Sequence, residues 1–170
     1  MSPSGEPQRH MTIERVILDN EPRGALPPFI EADREQAVAD LAAANHFRVF
    51  GRDGETTEGP YVLHLTIHDG RLIFDIRDQG DTPLIAIGLA LGPFRRLVKD
   101  YQMLVDSHIK AVEEGREARI QAIDMGRRGL HNEGAVLMTE RLAGKIDIDF
   151  DTARRLFTLV CVLAQRVSAR

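Results

Sequence analysis

Tyr61-Val-Leu-His-Leu-Thr-Ile-His68, then Asp69-Gly70, then Arg71-Leu-Ile-Phe-Asp-Ile-Arg-Asp78 read as two strands joined by a two-residue turn. Both central residues of a type I′ hairpin turn need positive φ, and Asp-Gly is a pair that supplies it at low cost. Counting outward from the turn sets Ile67 opposite Leu72, Leu65 opposite Phe74 and Leu63 opposite Ile76. One side of this ribbon is therefore uniformly apolar and must lie on a core. On the other side His64 faces Asp75 and Val62 faces Arg77.

Toward the N-terminus, Gly51 to Gly59 is polar with three glycines and reads as a loop. From Glu31 to Asn45, Ala37, Val38, Leu41 and Ala44 recur at helical spacing opposite Glu35, Gln36 and Asp40, which predicts a first helix. Thr12 to Leu18 is rich in Ile and Val and predicts a strand, closed by Asp19-Asn20 and a loop through Pro22, Gly24, Pro27 and Pro28. Toward the C-terminus, Pro83 to Leu91 predicts another strand, with the start of a helix as the alternative. Pro93 then suits a first helical position, and Phe94, Leu97, Val98, Tyr101, Leu104, Val105, His108 and Val112 form one stripe up to Gly115. With Gly115 as cap, Arg116 onward returns as a long helical segment carrying Ile120, Ile123, Leu130, Leu137 and Leu142, which makes an αα-hairpin. Ile146 and Ile148 alternate with Asp147 and Asp149, and Leu156 to Ala164 ends the pattern in a helix apolar over most of its circumference. The expectation is an α+β fold, with a small antiparallel sheet built on the hairpin and packed against about four helices.

A chain of 170 residues is sized for one domain, expected over residues 12–170. Residues 1–11 are polar and proline-containing, can bury nothing, and read as a disordered tail; Met11 is an alternative start. No apolar run approaches the roughly 18 to 20 residues of a membrane span. A net charge of -4 gives no overall attraction to nucleic acid or to an anionic membrane. Cys161 is the single cysteine, so no internal disulfide framework exists, and residues 1–11 hold no hydrophobic region of the kind a secretion signal needs; a cytoplasmic location is expected. Cys161 lies among Leu159, Val160, Val162 and Leu163 and reads as a small buried thiol rather than a nucleophile.

Several chemistries are excluded by what is missing. Serine occurs only at positions 2, 4, 107 and 168, and no nucleophile elbow surrounds any of them. No glycine-rich stretch matches a P-loop or dinucleotide fingerprint, so no cofactor is expected. Asp147, Asp149 and Asp151 resemble the start of a calcium loop, but Thr152 stands where glycine is required and Thr158 where the closing glutamate is required. The aspartates read instead as a strand edge and a helix cap. His64 and His68 lie four apart on a strand, about 13 Å, too far to share a metal. His108 falls in an apolar stripe and reads as a core histidine, and no metal site is expected.

Two regions survive as binding candidates. In Gly92-Pro-Phe-Arg-Arg-Leu-Val-Lys99, free amides at a helix start lie near Arg95, Arg96 and Lys99 and could hold an anion. The second is Ile123 to Ala135, where Gly126, Gly129 and Gly134 interrupt a helical pattern at about 1 kcal/mol each relative to alanine, or else break the helix and serve a loop. On a helical wheel Arg127 turns inward with Ile123, Leu130 and Leu137, while Asp124, Arg128 and His131 fall on the flank. A structural account pairs Arg127 with a buried carboxylate and uses the glycines for close backbone approach. A functional account makes Arg127 and Arg128 a planar clamp for carboxylate or phosphate, with His131, Asn132 and Glu133 orienting the ligand or moving a proton.

The blocks Gly59 to Leu65, Arg71 to Arg77, Pro93 to Tyr101, Ile123 to Gly134 and Asp149 to Phe157 closely resemble a bacterial uncharacterised-protein family, number 0262 of the UPF series. The resemblance covers nearly everything after Met11 and implies no activity, cofactor or catalytic residue. The sequence thus supports a non-enzymatic cytosolic protein binding a small anionic metabolite or a protein partner through these arginine-rich surfaces. Two alternatives stand beside it: a hydrolase or transferase using His131 and Glu133 beside Arg127 and Arg128, and a structural subunit whose polar cluster only fixes helix packing.

Overall fold

The computed structural model describes residues 10–21, 24–51 and 57–165. The hairpin forms at the expected register: β3 (Tyr61–His68) and β4 (Arg71–Arg77) pair Leu65 with Phe74 and His64 with Asp75, and Asp69 and Gly70 take φ of 50° and 71°. β5 (Pro83–Ala90) extends the ribbon antiparallel to β4, with Ile87 opposite Phe74. Leu63, Leu65, Leu72, Phe74 and Ile76 are fully buried, as the alternation requires.

One strand departs from the expected sheet. β1 (Ile13–Leu18) pairs with β3 in parallel, Leu18 beside Leu65, so the four-stranded sheet is mixed and ordered β1-β3-β4-β5. A parallel neighbour needs a crossover connection, which α1 (Pro28–Ala43) and the short strand β2 (Phe47–Val49) provide. β2 pairs antiparallel with β6 (Ile146–Ile148), Phe47 opposite Ile148. Ile146 and Ile148 are buried while Asp147 is exposed, so this small sheet seals one end of the core.

A 3-10 turn at Gly92–Phe94 leads into α2 (Arg95–Glu114), and Gly115, at φ 66°, closes it and starts the return. α3 (Glu117–Leu142) is continuous through all three glycines, so the αα-hairpin forms without a break at Gly126 or Gly129. Gly134 explains one of them: a Cβ there would fall 2.2 Å from the Phe157 ring, so the helices meet where only hydrogen fits. α4 (Phe150–Leu163) begins at Asp149, whose side chain accepts the Thr152 amide at 2.8 Å, the cap expected from the aspartate run. α4 is buried on nearly every side, Cys161 included, and packs against both α1 and α3. Apart from Val62, the buried apolar side chains among the described residues form a single cluster.

Residues 1–9, Pro22 and residues 52–56 of the expected loops lie outside the described residues. His10 and Met11, expected in the tail, are tied in: the Gly59 amide donates to the His10 carbonyl at 2.8 Å and the Phe47 amide to that of Met11 at 2.7 Å. No helix among the described residues is long and apolar enough to cross a membrane.

Candidate functional site

α1 buries a stripe of Phe29, Ile30, Asp33, Ala37 and Leu41, and a carboxylate in such a stripe must be paired. Asp33 is 7 % exposed, and three groups from the αα-hairpin reach it. The Tyr101 hydroxyl donates to Asp33 Oδ2 at 2.7 Å, and Arg127 Nη1 donates to Oδ1 at 3.1 Å. His131 Nε2 stands 3.5 Å from Oδ2, long for a hydrogen bond, and makes none elsewhere among the described residues. Arg127 also pairs with Asp124 and lies over the Phe29 ring, 5.0 Å from its centre. Burial works to raise the Asp33 pKa, but interactions with His131, Tyr101 and Arg127 outweigh it and hold the carboxyl below its usual range. Burial and the adjacent carboxylate push the Tyr101 hydroxyl far up, so it stays a neutral donor. Burial likewise raises the Cys161 thiol, which removes its nucleophilic form.

Above this network lies a cleft of about 190 Å³ between α1, α3 and α4. Its cations are Arg127 and Arg128 from α3 and Arg154 and Arg155 from α4; Asp33 and Asp40 face them, and Gln36, His131 and Thr158 complete the polar lining. Arg155 Nε sits 3.2 Å from Asp40 Oδ2. That contact has charge attraction without hydrogen-bond alignment, since this Nε is buried without a hydrogen-bond partner. Arg154 donates to Asn132 Oδ1 at 3.0 Å rather than to a carboxylate. Arg128 is 70 % exposed, with its nearest carboxylate, Asp124, at 4.0 Å.

The expected site residues therefore divide. Arg127, Arg128 and His131 share the cleft, and Asn132 supports it by holding Arg154. His131, expected on the solvent-facing flank, is buried at 6 % exposure because Tyr101 and Phe157 flank its ring. Glu133 turns to the other side of α3 and pairs with Arg96 at 3.0 Å, so it does not join His131 as an acid/base pair. Arg96 also reaches Asp100, whereas Arg95 and Lys99 border a separate cleft beside Gly70 and Gln165. The three cations of the Gly92–Lys99 segment thus do not converge. His64 faces Asp75 in register, as counted, but its ring is held by Asp19 at 3.0 Å and Asp81 at 3.1 Å, while Asp75 pairs with Arg77. His108 is half-buried against the Phe29 ring.

Asp33, Tyr101, Arg154 and Arg155 were not singled out from the sequence. Asp33 was detectable as a carboxylate inside an apolar helical stripe. Asp151, Arg154, Arg155 and Thr158 were detectable as the polar stripe of a helix apolar elsewhere.

The described residues contain no group of three or more His, Cys, Asp or Glu side chains suited to a metal ion. No solved structure matches the chain. It is 66 % identical over 157 residues to a UPF0262 protein of Granulibacter bethesdensis, covering 90 % of this chain and 89 % of that one. It is also 59 % identical to a UPF0262 protein of Acidiphilium cryptum, covering 91 % and 93 %, and 51 % identical to one of Maricaulis maris, covering 92 % and 96 %. The model of the Uncharacterised protein family (UPF0262) matches residues 10–166, and the chain belongs to that family.

Proposed function

We propose that this is a non-enzymatic cytoplasmic protein that binds a small anion in the cleft between α1, α3 and α4. One observation carries the reading: four guanidinium groups from two helices line one small cleft, and two of them, Arg128 and Arg154, have no carboxylate at hydrogen-bond distance among the described residues. A planar guanidinium fork is built to receive an oxyanion, and the rigid helices fix its direction. The buried His131 Nε2, 3.5 Å from Asp33 Oδ2 and without a hydrogen-bond partner among the described residues, adds a polar group on the same cleft. An acid/base role has less support, because Glu133 faces away from His131.

Thermal denaturation in the presence of small phosphates and carboxylates tests this. A ligand selective for the folded state at about 100 times its Kd adds about 2.7 kcal/mol of stability. The melting temperature should rise with anion concentration, and the rise should vanish in an Arg128→Gln, Arg154→Gln double variant. Were no anion to shift it, or the double variant to respond as the parent does, the proposal would fall.

A further inference from the structure

We infer that the anion held in this cleft is a phosphoryl dianion, free or as the monoester end of a small polar molecule; this rests on the anion-binding reading above. Charge is the first argument. Arg127 is matched by Asp33 and Asp124, and Arg155 by Asp40 and, at 4.0 Å, Asp151; Arg128, 4.0 Å from Asp124, and Arg154, bonded to Asn132, are the two cleft arginines with no carboxylate at hydrogen-bond distance among the described residues. A phosphoryl monoester carries about -1.5 to -2 at neutral pH and can turn charged oxygens to both guanidiniums at once, whereas a monocarboxylate brings a single charge.

Geometry is the second argument. The two guanidiniums stand on different helices, Arg128 on α3 and Arg154 on α4, and His131 of α3 lines the same cleft. One arginine fork uses both oxygens of a planar carboxylate. The three terminal oxygens of a tetrahedral phosphoryl group can address both helices and the imidazole together.

Size and polarity are the third. The cleft is about 190 Å³, below the roughly 300 to 1,000 Å³ of sites that enclose drug-sized ligands. Among its lining residues Ala37 alone is apolar and none is a Phe, Tyr or Trp. It therefore offers no surface for an acyl chain and no aromatic face for a nucleobase, and the recognised part is the charged group itself.

Isothermal titration at constant ionic strength, with inorganic phosphate, glycerol 3-phosphate, acetate and malonate as probes, decides it. At least one phosphoryl probe should bind ten-fold or more tightly than either carboxylate. Arg154→Lys, which keeps the charge and removes the fork, should weaken that binding at least five-fold with the ligand-free melting temperature unchanged. Preference for glycerol 3-phosphate over inorganic phosphate would identify a monoester as the source, and the reverse would identify free phosphate. Malonate or acetate binding as tightly as phosphate would overturn the inference and leave the anion site standing. No binding by any of the four would overturn both.

Discussion

The two sides of α3 are made from the same stretch of sequence and do opposite things. Toward α1 and α4, Arg127, His131 and Gly134 are drawn into the interior: Arg127 and His131 around Asp33, Gly134 under the Phe157 ring. Toward α2 and solvent, Gly129 has open space around its α-carbon, and Glu133 meets only the exposed Arg96. A glycine or an arginine in this segment has no fixed meaning; its consequence is set by whether a neighbouring helix stands against it.

The largest effect expected from breaking this asymmetry is at Arg127. Arg127→Ala leaves the Asp33 carboxylate, 7 % exposed, with Tyr101 as its remaining strong donor. The loss should be about 3 kcal/mol, the lower end for a broken buried pair, because the guanidinium is 23 % exposed. Urea titration would measure it, and a loss near zero would mean that Asp33 needs no cation. Gly134→Ala should follow at about 2 kcal/mol, since its Cβ would overlap Phe157 and force the helices apart.

The same pair has an acid limb. The Asp33 pKa is depressed in the folded state, so the protein gains stability from it above the ordinary value of 3.8 and loses that gain as pH falls below it. Asp33→Asn should flatten stability against pH in that window while leaving the dependence near neutrality unchanged. A variant curve parallel to the parent's below pH 4 would assign the acid limb to other groups.

The outward face predicts small effects of opposite sign. Gly129→Ala meets nothing within 4 Å and removes a helical glycine, so it should stabilise the protein by up to about 1 kcal/mol. Arg128→Ala, at 70 % exposure, should change stability by less than about 0.5 kcal/mol while reducing anion binding. If Gly129→Ala destabilises instead, something packs on that face in solution.

The hairpin was legible because its register is a local property. Asp69-Gly70 sets the turn, and a side-chain period of two sets every pairing from it. The amphipathic stripe of α2, its cap at Gly115 and the Asp149 cap of α4 are local in the same way. The pairing of β1 beside β3 was not, since the strand's sequence is compatible with either direction and the crossover through α1 decides it. The short β2 escaped because three residues carry too little periodicity to separate from a loop.

By itself, then, the sequence determined every element of regular structure but the short β2 and the 3-10 turn, together with the hairpin turn and the inward rotation of Arg127. Tertiary structure alone decided which charged groups meet. Asp33 and Arg127 are 94 residues apart in the chain, and Arg154 lies 22 residues from Asn132. A helical wheel gives the direction of a side chain and says nothing of what stands there, so it put His131 on an open flank that Tyr101 and Phe157 in fact fill. The energy that makes the cluster matter comes from removal of Asp33 from water, and only packing α1 against the other helices does that.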